Sequence, residues 1–443
     1  MNRKASVLAV LLVTAGLGLS AQEIKFDGYL NSGFGVVITD RQAPKGPLPA
    51  DGSRTVSPYI TAFGVDSEQW GYRFRLNGSF TGESKNYGAK FRLQGQSKST
   101  GDSYPPFTLP IAMGWASAFN GILTMNAGII DDGTWASGGG ILNDDMGEGL
   151  GGLLKVSPVK ALDLGFGVYG ISTDSGGNNS RLTKGLDKNR VEVYYAKYTL
   201  NLGFTLPETF KFTATWRNMN NAGGSSGASL GTGRDETSKM IIGARMLAVK
   251  NLTAVLEAEL DNLQDFRETK TGEKNGWGVP LTAGANSSGK FNLYETIGFK
   301  TGDLGAGLNA AQYFSLQKKV TDGDNKTGPG LRFNPWVSYS LGGVVPRLDF
   351  VYFAAGKING SDNDDEGKFH RKGYDPTYFT GDSVVTIRPS VTFNVGNAAL
   401  EIGDAVNIEN NHTKKYYGSS TRADDRRDRR ITNILYVDCK WSF

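Results

Sequence analysis

Few residues in this 443-residue chain have the types and spacing that covalent chemistry needs. There are two histidines, His370 and His412, and neither has a nucleophile and an orienting acid legible beside it. The one cysteine is Cys439, so no disulfide can form within a single chain. The run Asp362-Asn363-Asp364-Asp365-Glu366-Gly367 opens like a calcium-binding loop, yet Gly373 stands where the closing bidentate carboxylate belongs. A solvated acidic loop is the expectation there, as it is for Asp322, Asp324 and Asn325. What remains is charge at alternating positions. Arg73, Arg75, Lys90, Arg92, Lys211, Arg217, Lys239, Arg245, Arg332 and Arg388 fall on the polar faces of apolar-polar alternations, as do Glu192, Glu257, Glu259, Asp261, Asp349 and Glu401. A spacing of two puts such groups on one face of a strand. There they can act on an ion or polar solute through their field and hydrogen bonds. No enzymatic activity and no cofactor are expected.

The elements that would position these charges are strands. At the C-terminal end Ile431, Leu435, Val437, Cys439, Trp441 and Phe443 share one face, interrupted by Asn433. Thr432, Tyr436, Asp438, Lys440 and Ser442 share the other, with Ile434 as its one aliphatic. Two-faced segments of this kind recur along the chain in pairs. Trp70 to Phe80 is followed by Tyr87 to Gly95, and Ile111 to Phe119 turns at Asn120-Gly121 into Ile122 to Ile130. Similar pairs turn at Gly342-Gly343 and at Gly396-Asn397. Short connections alternate with long ones at 39–66, 98–108, 131–148, 171–189, 219–236, 264–290, 317–330, 357–383 and 410–429. Such sorting puts every long connection at one end of the sheet.

Composition agrees. Gly is 60 of the residues and aromatics are 11%, which suits a repetitive β protein with tight turns. The net charge of +4 comes from nearly balanced acids and bases, with no basic stripe to suggest a nucleic-acid partner. The start, Met1-Asn2-Arg3-Lys4 and then apolar residues to Leu19, reads as a secretory leader over 1–21, with cleavage expected near Ala21. Beyond it no apolar run approaches the roughly 20 residues of a membrane-crossing helix, so a membrane role would have to be carried by strands.

Alternation running to a terminal Phe resembles the last strand of bacterial outer-membrane β-barrel proteins. There that ending is read by the barrel-assembly machinery, and Val437, Trp441 and Phe443 occupy the matching positions. The chain as a whole resembles the bacterial porin family in architecture. The expected fold is an all-β transmembrane antiparallel barrel of about 16–18 strands. It would occupy 22–443 as one domain, with short periplasmic turns and long extracellular loops. The resemblance implies an outer-membrane channel for passive diffusion of small hydrophilic solutes or ions, in contact with outer-membrane lipids, and a homotrimer as one compatible assembly.

It also implies that the third long connection enters the pore. Asp131, Asp132, Asp144, Asp145 and Glu148 would then face Arg73, Arg75, Lys90 and Arg92 across a constriction. Lumenal rings such as Tyr29, Tyr194, Trp336 and Tyr436 could contact sugars. The alternatives are a surface-exposed adhesin or receptor barrel with an occluded lumen, and an exported soluble β protein. Three features fit poorly: Pro335 and Pro389 fall inside strands, Glu295 and Asp404 fall on the apolar face, and parity slips near Tyr194. Bulges or shifted strand ends are expected to repair them.

Overall fold

The computed structural model describes residues 21–44, 54–55, 59–62, 72–97, 107–132, 142, 147–169, 197–222, 234–261, 290–315, 330–354, 357–358, 361–362, 383–410 and 427–443. Strands β1 (Ala21–Pro44), β2 (Tyr72–Gly82), β3 (Tyr87–Ser97), β4 (Phe107–Ala118), β5 (Leu123–Asp132) and β6 (Gly147–Val159) make the first third of one sheet. Strands β7 (Leu162–Tyr169), β8 (Lys197–Leu206), β9 (Phe210–Ala222), β10 (Arg234–Met246), β11 (Leu252–Asp261) and β12 (Lys290–Thr301) continue it. Strands β13 (Leu304–Ser315), β14 (Gly330–Tyr339), β15 (Val344–Ala354), β16 (Ser383–Val395), β17 (Ala398–Asn410) and β18 (Arg427–Ser442) complete it.

Every strand pairs antiparallel with its sequence neighbours, and β18 returns to pair with β1 from Tyr29↔Ser442 to Pro44↔Arg427. The result is a closed 18-stranded barrel. The seam is sealed by Gly28 N–H donating to Phe443 O and Phe443 N–H donating to Gly28 O, both at 3.0 Å. Closure removes the unpaired edges that an open sheet of this length would expose. Two short strands at 54–55 and 59–62, in the first long connection, pair with the far part of β1.

Polarity is inverted relative to a water-soluble core. Phe26, Phe34, Leu164, Phe166, Leu256, Ile297, Phe333, Leu348, Phe350 and Ile402 are exposed on the outside. Asn31, Thr199, Arg217, Lys239, Glu257, Glu259, Asn334, Asp349 and Arg388 are buried inside. Lipid satisfies the first set and a wet or hydrogen-bonded interior the second, so the chain is a transmembrane β-barrel. On the outer surface beside the seam, Phe443 stacks on Phe74 (6.3 Å between centroids) and lies 5.6 Å from Trp441. In β18, Thr432, Ile434, Tyr436 and Asp438 are buried while Leu435, Cys439, Trp441 and Phe443 are exposed, which is the alternation the sequence predicts.

The prolines and the misplaced carboxylates behave differently from expectation. No bulge forms at Pro335. Its pairing with β13 runs on through Leu308↔Pro335, while pairing with β15 lapses at 334–335 and resumes in the same register at Trp336↔Asp349. The main-chain donor missing at Pro335 is replaced by the Asn334 side chain, whose Nδ2 donates to Phe350 O at 3.1 Å. Pro389 behaves alike: it pairs with Leu348 of β15, and the ladder to β17 lapses between Ile387↔Val406 and Ser390↔Gly403.

Glu295 and Asp404 stay on the outer face, each with an amide on the next strand. Gln312 Nε2 donates to Glu295 Oε1 at 3.5 Å, and Asn433 Nδ2 donates to Asp404 Oδ1 and Oδ2 at 2.9 and 3.1 Å. A hydrogen-bonded amide lowers the penalty of holding a carboxylate against lipid, which is why no register change is needed. Tyr194 lies outside the described residues.

Candidate functional site

Alternation delivers the four basic residues expected at the constriction to one arc of the interior, while Lys211, Arg217, Lys239, Arg245, Arg332 and Arg388 lie on other strands. On β2 and β3, Arg73, Arg75, Lys90 and Arg92 all project inward. Arg75 and Arg92 are held in a polar mesh. Arg75 Nε donates to Gln94 Oε1 (2.8 Å), Arg92 Nε donates to Asn77 Oδ1 (2.8 Å), and Asn77 Nδ2 donates to Asp27 Oδ1 (2.6 Å). Tyr29 on β1 sits between two cations, with the Arg75 guanidinium at 5.6 Å and Lys440 Nζ at 5.2 Å from its ring centre. The mesh fixes the direction of these two guanidinium groups, so the field they cast into the lumen has a set geometry.

Acids gather on the opposite side, on β11. Glu259 pairs with Lys239 and accepts from Asn292 Nδ2 (3.1 Å) and Tyr294 OH (2.7 Å). Glu257, 1% exposed, accepts the main-chain N–H of Leu142 at 3.0 Å. Leu142 belongs to the third long connection, between β5 and β6, and is itself buried at 3% exposure. Leu142 therefore lies inside the barrel and meets the wall at β11, five strands away from β6 and eight from β3. A third cluster faces inward from β15 and β16. Arg347 holds Asp349 in a two-point contact (2.7 Å from Nε and from Nη2), Arg388 Nη2 adds a third at 3.1 Å, and Arg347 lies 4.5 Å over the Trp336 ring. Tyr436 OH donates to Glu401 Oε1 at 2.7 Å.

The acids expected in the constriction divide into two groups. Asp131↔Glu148 and Asp132↔Gly147 are register pairs of β5 and β6, so Asp131, Asp132 and Glu148 extend strand ends instead of sitting in the loop. Asp144 and Asp145 lie outside the described residues, as do His370, His412, Glu192 and most of the stretch from Asp362 to Gly373. Among the described residues no cluster of His, Cys, Asp and Glu has the makings of a metal site. Sequence reasoning missed Arg347, which the lumenal placement of Asp349 two residues on would have found. It also missed Tyr294 and the meeting of Leu142 with Glu257, which no local pattern signals.

In the half of the lumen nearer the short turns lies a cavity of about 900 Å³. Its lining includes Lys25, Asp27, Lys90, Arg92, Trp115, Lys155, Asp163, Lys211 and Thr213, from β1 round to β9. Trp115 lies flat across Gly88, where a Cβ would come within 2.6 Å of the indole nitrogen, so only glycine lets the ring settle against the wall. Toward the long-connection end the lumen carries an apolar shelf of Ile130, Leu153 and Tyr169, with Met113 against it.

No family model and no curated protein matches the chain. Solved structures align along most of its length. A BenF-like porin from Pseudomonas fluorescens Pf-5 aligns at 11% identity over 96% of this chain and 100% of that one, with a TM-score of 0.48. OprD of Pseudomonas aeruginosa aligns at 9% identity over 96% of each chain, with a TM-score of 0.47. OprB of Pseudomonas putida gives 10% identity, 97% and 96% coverage and a TM-score of 0.44.

Proposed function

We propose that this protein is an outer-membrane channel through which small hydrophilic solutes diffuse passively, with no covalent step and no cofactor. The observation that carries this is the inverted wall: a closed ring of strands, apolar outside and charged inside, around a cavity of about 900 Å³. A barrel of this size leaves more room than inward side chains alone fill. Fixed charges of both signs on facing sides of the lumen would order water and orient a polar solute without binding it tightly.

The third long connection is the proposed narrowing element. With Leu142 on the far wall at Glu257, the free path lies between that connection and the basic arc of Arg73, Arg75, Lys90 and Arg92. Asp132, Asp144 and Asp145 would supply the opposing charge. Export after cleavage near Ala21 belongs to the same reading, and recognition of Val437, Trp441 and Phe443 by the assembly machinery is supported by the outward display of Trp441 and Phe443 at 51% and 43% exposure.

The test is swelling of liposomes carrying the refolded protein in sugars of graded size. Entry of arabinose faster than of a trisaccharide is expected. Folded barrels that admit neither would refute the channel and favour a barrel with an occluded lumen.

A further inference from the structure

The cavity near the short turns has an unbalanced lining. Five cations, Lys25, Lys90, Arg92, Lys155 and Lys211, meet three carboxylates, Glu23, Asp27 and Asp163. The carboxylates are engaged: Glu23 pairs with Lys25 (2.7 Å), Asp163 with Lys155 (3.1 Å), and Asp27 accepts from Asn77, which in turn accepts from Arg92. Among the described residues Lys90 and Lys211 have no such partner. Thr213 stands two positions along β9 from Lys211 and is 2% exposed, and its Oγ1 has no hydrogen-bond partner although it is buried. Buried hydroxyls are nearly always satisfied, so this one, on a residue that lines the cavity, lacks a polar partner. Trp115 adds an aromatic face on the same cavity, and Ser117 and Thr124 add hydroxyls joined at 2.7 Å.

We propose that this cavity is a binding subsite for small polyhydroxylated organic anions, with Lys90 and Lys211 meeting the charge, Thr213 a hydroxyl and Trp115 the carbon skeleton. Ammonium groups on flexible stems suit a mobile, weakly held anion better than a rigid fork would. The hydroxyls and the ring would distinguish a sugar acid from a bare anion of equal charge. This reading rests on the proposed channel, because the anion must reach the cavity through the lumen, but binding can be measured separately from passage.

The probe is gluconate, titrated calorimetrically into the folded full-length protein in detergent. Glucose serves as the uncharged control and acetate as the control lacking hydroxyls. Gluconate is expected to bind at least tenfold more tightly than either. K90Q/K211Q should weaken it by roughly tenfold and T213V by a few-fold, with T213S restoring it, since each removes a hydrogen bond to a charged or buried group. Lys160→Gln, in a turn outside the cavity, should change nothing. Equal binding of glucose and gluconate, or unchanged gluconate affinity in a folded K90Q/K211Q, overturns the subsite. Swelling without gluconate binding overturns the subsite and leaves the channel, whereas binding without swelling leaves the subsite and overturns the channel.

Discussion

Replacing Asn334 by Val isolates a repair made inside the wall. Pro335 cannot donate to β15, and the carbonyl of Phe350 opposite it receives the Asn334 amide instead, at 3.1 Å, with Asn334 1% exposed. Removing that amide leaves a buried carbonyl without a donor, which costs about 1–3 kcal/mol. Asn334 has other contacts as well, so the single variant overstates the bond. Pro335→Ala supplies the cancelling control, because an alanine there returns the main-chain N–H that the register Phe333↔Tyr352 and Trp336↔Asp349 aims at Phe350. N334V should therefore cost at least ~1 kcal/mol less in the P335A background than in the native one, an interaction well above the roughly 0.3–0.5 kcal/mol scatter of additive pairs. Equilibrium urea unfolding of the barrel in detergent, followed by tryptophan fluorescence and heat-modifiable gel migration, gives the four stabilities. Equal losses in the two backgrounds would show that the side chain does not stand in for the missing donor.

Other perturbations follow from the same geometry. Glu257→Ala removes the acceptor for Leu142 N–H, a charge-assisted bond worth about 1.5–3 kcal/mol; single-channel recordings should show larger or noisier currents, and unchanged traces would remove Glu257 from the narrowing element. The double change D404L/N433L replaces a polar pair on the lipid face with apolar contact about 15 Å up a tilted strand. It should raise the urea midpoint, whereas D404L alone, which strands the Asn433 amide, should gain less. Gly403→Val places a branched side chain where the Tyr436 ring lies, 2.4 Å from a Cβ to Cζ, and should destabilise by about 1–3 kcal/mol of overpacking, read as a lower unfolding midpoint.

Much of the wall was legible because a barrel strand is a local pattern. Two faces in two solvents leave alternation in the residues themselves, and β18 follows it position by position from Thr432 to Phe443. Turns were legible where left-handed backbone is required: Gly342 and Gly396 adopt φ of 63° and 58° at the predicted hairpins. What the alternation could not convey is how exceptions are absorbed. Pro335, Pro389, Glu295 and Asp404 looked like register errors, yet each is tolerated by a side chain or a lapse on one neighbouring strand, and that neighbour is identified only once pairing is known. Interior aliphatics such as Val37 and Ile434, buried together at 1% and 0% exposure, likewise depend on which strands are neighbours, since they meet across the seam with Ala405 and Tyr436 beside them. The site followed the same division: the basic arc came from i, i+2 spacing, while the contact of Leu142 with Glu257 joins residues 115 positions apart.

The seam between β1 and β18 also has a consequence for assembly. Its two halves are the most distant strands in sequence, so no partial chain can form it, and any nascent sheet carries two sticky borders until the ring shuts. Loop closure over that span is slow and entropically unfavourable. The barrel must therefore be shielded from self-association throughout its folding, and mutations along Gly28 and Phe443 should slow maturation more than they weaken the finished wall.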